Sequence, residues 1–296
     1  MKRLRHSSLF ILSAILFLSL LLSACQPLVA PTPAPAEETE AAAAIPGVDE
    51  YLAAYEAVEP APLPSQFDED GMTYDEAYDF QEALVAQMEA EGAQQVGYKL
   101  GLTGPKRPFG AEEPLYGRML DFMVLENGAQ VPASDFVKPL GEWEIAYFFD
   151  KDVSYPVTAE ELQDAVGQIA PAVELPDLVF ADMKNLTWLD LIASDIAPRR
   201  VVIGDKVSDD DFDENAIAPV TTLDGEVISE GIGSAVMGDQ WEALRFLAEK
   251  LNERGEQIHA GDFVISGAMN PLTPLEPGSY TVDYGPFGVI TFEIGE

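Results

Sequence analysis

The chain has 296 residues, of which 47% are hydrophobic, and 52 acids against 16 lysines and arginines give it a net charge of −36 at neutral pH. This apolar fraction is enough for a folded core, while the negative field repels nucleic acid and anionic lipid headgroups and argues against both as partners. A single cysteine, Cys25, excludes intrachain disulfides, zinc sites built from several cysteines and iron–sulfur clusters.

The first 24 residues have the layout of a secretion signal. Three cations near the start precede an apolar run from Leu9 to Leu22, which is shorter than the ~20 residues of a membrane-spanning helix. Leu22-Ser-Ala-Cys25 resembles the lipobox of bacterial lipoproteins, in which cleavage leaves the cysteine as the lipidated first residue. This predicts a lipidated Cys25 on an exported protein, on the extracytoplasmic side of a cell membrane. An ordinary signal peptide with an incidental cysteine is the alternative.

Residues 25–47, which start at Cys25, are predicted to form a disordered tether. The stretch is rich in Pro, Ala and Glu, as in Ala30-Pro-Thr-Pro-Ala-Pro35, and such a composition favours an extended chain. Residues 48–95 then carry helical patterns, and residues 96–296 carry mainly strand patterns. Together they are long enough for one large domain or two small ones.

Four helices are predicted from apolar periodicity and from residues that cap helix ends. Thr73-Tyr-Asp-Glu76 and Thr158-Ala-Glu-Glu161 each have the pattern of a capping box, and Gly255 is a stop signal for the last helix. The predicted helices are 48–58, 73–91, 158–166 and 239–254.

The rest of the folded part is predicted to be mainly β-sheet. Asp224-Gly225 between two short strands is a hairpin signal. The predicted strands are 96–103, 123–126, 138–149, 170–180, 200–206, 220–223, 226–230, 263–266, 280–284 and 288–294. Regular helices do not separate them, which disfavours a doubly wound nucleotide-binding fold and indicates an α+β protein.

Three acids lie in strand-like apolar stretches: Glu142 and Glu144 between Gly141 and Phe149, and Glu174 in Pro171-Ala-Val-Glu174. An ionised carboxylate in apolar surroundings is costly unless a partner charge or a metal compensates it. Residues two apart on a strand share a face, so Glu142 and Glu144 project together. With Glu174 they could hold one hard cation, Mg²⁺ or Mn²⁺ rather than zinc. The alternative is a solvated face of an edge strand, which so acidic a chain produces easily.

Lys99 lies in Gly97-Tyr-Lys-Leu-Gly-Leu-Thr103, among apolar neighbours. A lysine in such a place could hold an anionic substrate or transfer a proton, since desolvation makes its pKa adjustable. A surface lysine whose stem lies along apolar neighbours is the alternative.

This segment closely matches the Gly-(Trp/Tyr)-Lys-(Ile/Val/Leu)-Gly-Leu-Thr motif of the 2-keto-4-pentenoate hydratase and 2-oxo-3-hexenedioate decarboxylase group, within the fumarylacetoacetate hydrolase superfamily. Other segments resemble motifs of that group in the same order, and the resemblance covers about residues 48–294. These segments are 76–81, 114–119, 142–144, 171–174, 238–244, 251–255, 260–262, 266–268 and 277–278.

The resemblance implies a mixed, mostly antiparallel β-sheet over residues 96–296, the fumarylacetoacetase C-terminal-like β-roll, usually assembled into homo-oligomers. It implies Mg²⁺ or Mn²⁺ held by Glu142, Glu144 and Glu174. Lys99 corresponds to the lysine near the substrate and is the candidate catalytic residue. Three further positions correspond to a backbone turn near the substrate carboxylate: Ser266, Gly267 and Ala268.

The implied activity is that of a lipid-anchored, metal-dependent hydratase that acts on a 2-hydroxy-dienoate or 2-oxo acid through a metal-stabilised enolate. A 2-oxo acid decarboxylase of the same family is one alternative. An exported location is unusual for enzymes of aromatic compound breakdown, so a non-catalytic lipoprotein that binds a metal or a small acid is another.

One stretch departs from the family pattern. Where the family often has Asp-Asn and then small residues, this chain has Ala193-Ser-Asp-Ile-Ala-Pro-Arg-Arg200. Asp195 stands at the position of the family's Asp, and larger residues follow it. Arg199 and Arg200 could bind a second substrate carboxylate or could merely offset nearby acids. His259 lies where a turn is expected and is not predicted to be catalytic, and Asp262 could simply cap that turn.

Overall fold

The computed structural model describes residues 44–208 and 212–295. The predicted signal peptide, the lipobox with Cys25 and nearly all of the predicted tether lie outside the described residues. Within these residues, no helix has both the length and the apolar character needed to cross a membrane.

The described part of the chain contains five α-helices and thirteen β-strands. The helices are α1 (Val48–Ala57), α2 (Tyr74–Ala90), α3 (Ala159–Ala165), α4 (Trp188–Ala193) and α5 (Gln240–Glu253). The strands are β1 (Gln95–Gly101), β2 (Leu115–Leu120), β3 (Val124–Glu126), β4 (Ala129–Val131), β5 (Leu140–Phe149), β6 (Val166–Leu175), β7 (Arg200–Ile203), β8 (Val220–Leu223), β9 (Glu226–Glu230), β10 (Phe263–Ile265), β11 (Thr273–Pro274), β12 (Gly278–Asp283) and β13 (Val289–Ile294).

The strands form two sheets. The larger has the order β2-β1-β10-β5-β6-β7-β3, with β11 also paired to β5, and the smaller has the order β4-β13-β12-β8-β9. Most neighbouring strands are antiparallel, while β1–β10, β3–β7 and β4–β13 are parallel. The predicted class, α+β with a mixed and mostly antiparallel sheet, is therefore confirmed. Strands β5 and β6, which carry the three candidate glutamates, lie in the middle of the larger sheet.

Three of the described helices begin with a capping box. At Thr73 and Thr158 it was predicted, and at Thr187 it opens α4, which the sequence patterns did not predict. In each, the threonine side chain accepts a hydrogen bond from the backbone N–H three residues on, and the acid there accepts one from the threonine N–H. Helix α4 has six residues, too few for apolar periodicity to reveal it.

The strand predictions need correction at several places, and the short strands β4 and β11 were not predicted. Residues 115–120 are in none of the predicted strands but form β2, which pairs with β1. The strand predicted at 170–180 begins earlier and ends at Leu175. Pro176 follows and has no N–H for the sheet, and the Asp177 carboxylate accepts hydrogen bonds from the N–H groups of Val137 and Lys138 at 2.7 and 2.8 Å. These bonds turn the chain away from the sheet.

Strand β1 lies against β10 unusually closely at Gly97. A Cβ atom at this position would lie 1.9 Å from the backbone oxygen of Phe263. Only glycine permits this approach, so Gly97 fixes the strand that carries Lys99 beside the centre of the sheet.

Candidate metal centre

The pairing of β5 with β6 places three carboxylates together. Glu142 is directly opposite Glu174 in the antiparallel register, and Glu144 lies two residues further along β5 on the same face. Each glutamate offers one oxygen, and these oxygens all lie within 4.8 Å of one another. The structure thus brings together the three residues that were predicted as metal ligands.

These carboxylates lie in the interior and not on a solvated edge. Glu144 and Glu174 are 0% exposed, while Glu142 is partly exposed. The alternative of an edge strand with a wet face is wrong for this pair, because β5 has β10 on one side and β6 on the other. Glu142 marks the side on which the centre approaches solvent.

Lys99 lies against the same centre. Its side chain is 1% exposed, so the alternative of a surface lysine is wrong. Its ammonium donates a hydrogen bond to Glu174 Oε1 and another to the backbone oxygen of Ile196 at 3.0 Å. The candidate catalytic residue is therefore held in one place by an ion pair and a carbonyl.

Glu144 and Glu174 each have one carboxylate oxygen that accepts a hydrogen bond and one that does not. Glu144 Oε2 accepts a hydrogen bond from the Gly267 N–H at 2.8 Å, and Glu174 Oε1 accepts from Lys99. Glu144 Oε1 and Glu174 Oε2 are buried and have no hydrogen-bond partner among the described residues. Buried oxygens without partners cost free energy that a bound cation would offset. This donor set suits a hard divalent ion.

The pKa values of Glu142, Glu144 and Lys99 are shifted by burial and by the excess of negative charge in this centre. Burial, followed by repulsion from Glu174, raises the pKa of Glu142 to about 7, although Lys99 opposes the shift. Burial and repulsion from Glu174 and Glu142 raise the pKa of Glu144 well above its usual range. Burial would lower the pKa of Lys99, but the carboxylates, first of all Glu174, outweigh it and the pKa is raised. One ammonium does not balance three carboxylates, so the centre favours a further cation.

The predicted substrate-binding turn, Ser266 to Ala268, lies beside the carboxylates. Gly267 has a φ of +111°, and a Cβ there would lie 2.3 Å from Thr103 Oγ1. Its N–H is already bound to Glu144, whereas the buried Ser266 hydroxyl has no hydrogen-bond partner in the described residues. That hydroxyl is therefore available to meet a ligand.

The two arginines of the departing stretch are occupied elsewhere. The Arg199 guanidinium donates to the backbone oxygens of Tyr55 and Asp135 at 2.7 and 2.8 Å and stacks on the Tyr55 ring. Arg200 forms an ion pair with Asp135 at 2.8 Å. Arg200 therefore offsets a nearby acid, as one interpretation of the sequence had it, Arg199 binds backbone carbonyls, and substrate binding by either side chain is disfavoured.

The residues near His259 form a surface turn. The His259 ring is exposed, and its backbone N–H donates to the Asp262 carboxylate at 2.8 Å. Asp262 therefore caps a turn, as one interpretation of the sequence had it, and the imidazole is on the protein surface.

Sequence reasoning missed the part played by Asp195. This acid is 3% exposed and accepts a hydrogen bond from the Arg118 N–H at 2.6 Å, and the carbonyl of the next residue, Ile196, binds Lys99. Its position where the family often has an aspartate was the signal that could have identified it.

No protein-family model matches the chain. It is 31% identical over 218 residues to 4-oxalocrotonate decarboxylase of Pseudomonas sp. (strain CF600), a match that covers 72% of this chain and 82% of the relative. It is 32% identical over 224 residues to 2-hydroxyhexa-2,4-dienoate hydratase of Comamonas testosteroni, a match that covers 74% of this chain and 84% of the relative. The chain belongs to the family of these decarboxylases and hydratases.

Solved structures extend this family assignment to the fold. Two structures of 4-oxalocrotonate decarboxylase from Pseudomonas putida G7, one with magnesium and adipate and one with calcium and acetate, match with TM-scores of 0.79 and 0.78 at 28% identity. Each match covers 83% of this chain and 95% of the other. Fumarylpyruvate hydrolase from Pseudomonas aeruginosa, at 14% identity and a TM-score of 0.54 over 68% of this chain and 89% of that one, shares the fold. The predicted superfamily fold is confirmed.

The family consists of enzymes named for hydration or decarboxylation, as the sequence resemblance implied. Relatives of known structure contain Mg²⁺ or Ca²⁺, and this chain has a carboxylate triad that could hold such an ion. The particular roles of Lys99, the three glutamates and the turn at Ser266 remain predictions, which the geometry now makes specific.

Proposed function

We propose that the protein is a divalent-metal-dependent hydratase that acts on a 2-hydroxy-dienoate and its 2-oxo tautomer. The observation that carries this proposal is the buried centre, in which Glu144 and Glu174 each have one oxygen bound by the protein and one without a partner. Lys99 lies within hydrogen-bonding distance of one of these acids. The centre thus offers carboxylates to a divalent cation and an ammonium to a small anionic substrate.

In this proposal Glu142, Glu144 and Glu174 hold the cation, which supplies positive charge against the negative charge that develops on the keto oxygen of the substrate. Lys99 places its ammonium at the same centre and adds a second positive charge. The Ser266 hydroxyl is available to donate to the substrate carboxylate. Because Lys99 is 1% exposed, little water competes for these contacts.

The reaction itself is a proton shift followed by addition of water. The dienol loses the proton of its 2-hydroxyl group and gains one at its terminal carbon, which gives a conjugated 2-oxo acid. Water then adds across the remaining double bond, with hydroxide at the carbon remote from the keto group and a proton at the adjacent carbon. The product is a 4-hydroxy-2-oxo acid.

Decarboxylation is the second candidate, since a relative at 31% identity is a 4-oxalocrotonate decarboxylase. The loss of CO₂ would use the same stabilisation of an enolate. A dicarboxylic substrate needs a partner for its second carboxylate, and Arg199 and Arg200 are already bound to Tyr55 and Asp135. We therefore place hydration of a monocarboxylic substrate first.

We further propose that the protein is an exported lipoprotein anchored through Cys25, and that it forms a homo-oligomer. The lipobox at Leu22-Ser-Ala-Cys25 supports the first statement, and the family resemblance supports the second. Light scattering of the purified protein tests the assembly.

The test of the activity is the consumption of 2-hydroxypenta-2,4-dienoate, followed by its absorbance, with Mg²⁺ and with a chelator. We expect Glu174→Gln to lower kcat at least about 10²-fold, because it removes one ligand charge and the partner of Lys99. Glu276→Gln, a substitution outside the centre, is the control and should leave activity unchanged.

Activity that persists in chelator or in Glu174→Gln would rule out the metal mechanism. Turnover of 2-oxo-3-hexenedioate with release of CO₂, without hydration of the dienoate, would identify a decarboxylase. Binding of Mg²⁺ without turnover of any 2-oxo or dienoic acid would favour the non-catalytic binding protein.

A further inference from the structure

Three successive residues beside Lys99 adopt a left-handed backbone conformation. Asp195, Ile196 and Ala197 have φ angles of +58°, +59° and +50°. Residues other than glycine rarely adopt this conformation singly, and a β-branched isoleucine adopts it least of all. Strain of this kind persists only where surrounding contacts impose it, and it is concentrated at functional sites.

Backbone hydrogen bonds close this turn, among them one from the Ile196 N–H to the Leu191 oxygen at 2.7 Å, and the side chain of Asp195 adds a bond to a neighbouring strand. Its Oδ1 accepts a hydrogen bond from the Arg118 N–H at 2.6 Å, and Arg118 lies on β2, an edge strand of the larger sheet. Gly117 makes the approach possible, since a Cβ there would lie 2.6 Å from the Asp195 backbone oxygen and 2.7 Å from Oδ1. The side chain of Asp195 thus ties the turn to the strand next to β1.

The turn has a direct contact with the candidate catalytic lysine. Left-handed geometry aims the Ile196 carbonyl at Lys99, whose Nζ donates to it at 3.0 Å. In the β1–β2 register Lys99 is opposite Gly117, the neighbour of Arg118. The path from Asp195 to the ammonium therefore passes through one side-chain hydrogen bond and one backbone carbonyl.

We propose that Asp195 is a positioning residue, whose side-chain oxygen anchors the turn on β2 and so holds the Ile196 carbonyl against the Lys99 ammonium. The inference rests on the proposed function of the centre that contains Lys99. It requires an acceptor oxygen at position 195 and not a negative charge, because a backbone N–H needs only a lone pair.

Two substitutions of Asp195 distinguish the role of its acceptor oxygen from that of its negative charge and from backbone strain. Asp195→Asn keeps a side-chain oxygen, and asparagine tolerates the left-handed conformation. Asp195→Gly fits the conformation without strain but removes the acceptor. Asp224→Gly is a matched control, because Asp224 also has a positive φ, +49°, and its carboxylate accepts the Ser279 N–H at 3.0 Å, in the hairpin between β8 and β9.

We expect Asp195→Gly to lower kcat by about 10²-fold, the effect of a misplaced catalytic group, with little change in KM or in Mg²⁺ affinity. Asp195→Asn should restore most of kcat, and Asp224→Gly should leave kcat unchanged. A crystal structure of the Asp195→Gly protein should show Lys99 Nζ out of hydrogen-bonding distance of the Ile196 oxygen.

Wild-type kcat in Asp195→Gly would overturn the inference, and so would an Asp195→Asn protein as slow as Asp195→Gly, which would indicate a role for the charge. If the wild-type protein turns over no 2-oxo or dienoic acid, the proposed function fails. The crystal structure then decides the inference by itself: an unchanged contact between Lys99 and Ile196 refutes it, and a lost contact supports it.

Discussion

At the scale of single residues, the candidate metal centre is characterised by an excess of negative charge. Three carboxylates share a buried space with one ammonium, and two of their oxygens have no partner in the described part of the chain. A protein rarely keeps such groups without a ligand, because each costs free energy. A bound divalent cation would remove this cost, which would make its binding more favourable.

The same excess of negative charge predicts how Mg²⁺ binding depends on pH. Since the pKa of Glu142 is raised from 4.5 to about 7, the contribution of this group to stability without metal is full below about pH 4.5 and is lost as pH rises through about 7. Protons and Mg²⁺ compete for the carboxylates, so the deprotonation of Glu142 alone should raise the affinity for Mg²⁺ about tenfold from about pH 6 to about pH 8. Isothermal titration calorimetry at the two pH values measures it.

Glu142→Gln should weaken Mg²⁺ binding and flatten its pH dependence, whereas Glu276→Gln, outside the centre, should change neither. An affinity for Mg²⁺ that is equal at both pH values in the wild-type protein would contradict this explanation.

The three glutamates and Lys99 could be identified from the sequence, because strand alternation and the family motifs are local patterns. The partners of Lys99 could not. Glu174 and Ile196 are 75 and 97 residues away along the chain, and only the fold brings them to the ammonium. The same holds for Arg199, whose acceptors are the oxygens of Tyr55 and Asp135.

At the scale of elements, the position of β1 depends on one close contact between backbones. Replacement of Gly97 by alanine would place a Cβ 1.9 Å from the Phe263 oxygen, and β1 and β10 would have to separate. We expect Gly97→Ala to lower the free energy of unfolding by about 3 kcal/mol. Activity should also fall, since Lys99 is on the same strand.

Urea denaturation of the wild-type and Gly97→Ala proteins measures this difference in the free energy of unfolding. Gly104→Ala is the control, because a Cβ there has no atom within 4 Å and should change stability by less than about 0.5 kcal/mol. Equal stability of the Gly97→Ala and wild-type proteins would show that the two strands can separate at no cost.

Elements with a strong local signal were predicted well and the others were not. The capping boxes at Thr73 and Thr158 start α2 and α3 as expected, and the hairpin at Asp224-Gly225 joins β8 and β9 at the predicted residues. Strand β2 was missed because its residues are all buried, so it shows no alternation of polar and apolar side chains. Its assignment depends on pairing with β1.

At the scale of the whole molecule, charge and location are connected. A net charge of −36 raises the concentration of divalent cations near the surface and repels anionic lipid. An attraction to the membrane surface is therefore not expected from the folded part, and membrane attachment would depend on the N-terminal segment alone.

This dependence makes Cys25 the residue to test. When the protein is expressed in a bacterial host, the wild-type chain should sediment with membranes and incorporate a labelled fatty acid. Cys25→Ser should lose the label and, once the signal peptide is removed, appear in the soluble exported fraction, because nothing in the acidic folded part of the chain is expected to favour the bilayer without an acyl chain. Ser23→Ala keeps the cysteine and should behave as wild type. A Cys25→Ser protein that remains with membranes would mean that another segment is the anchor, and a wild-type protein without label would mean that the segment is an ordinary signal peptide.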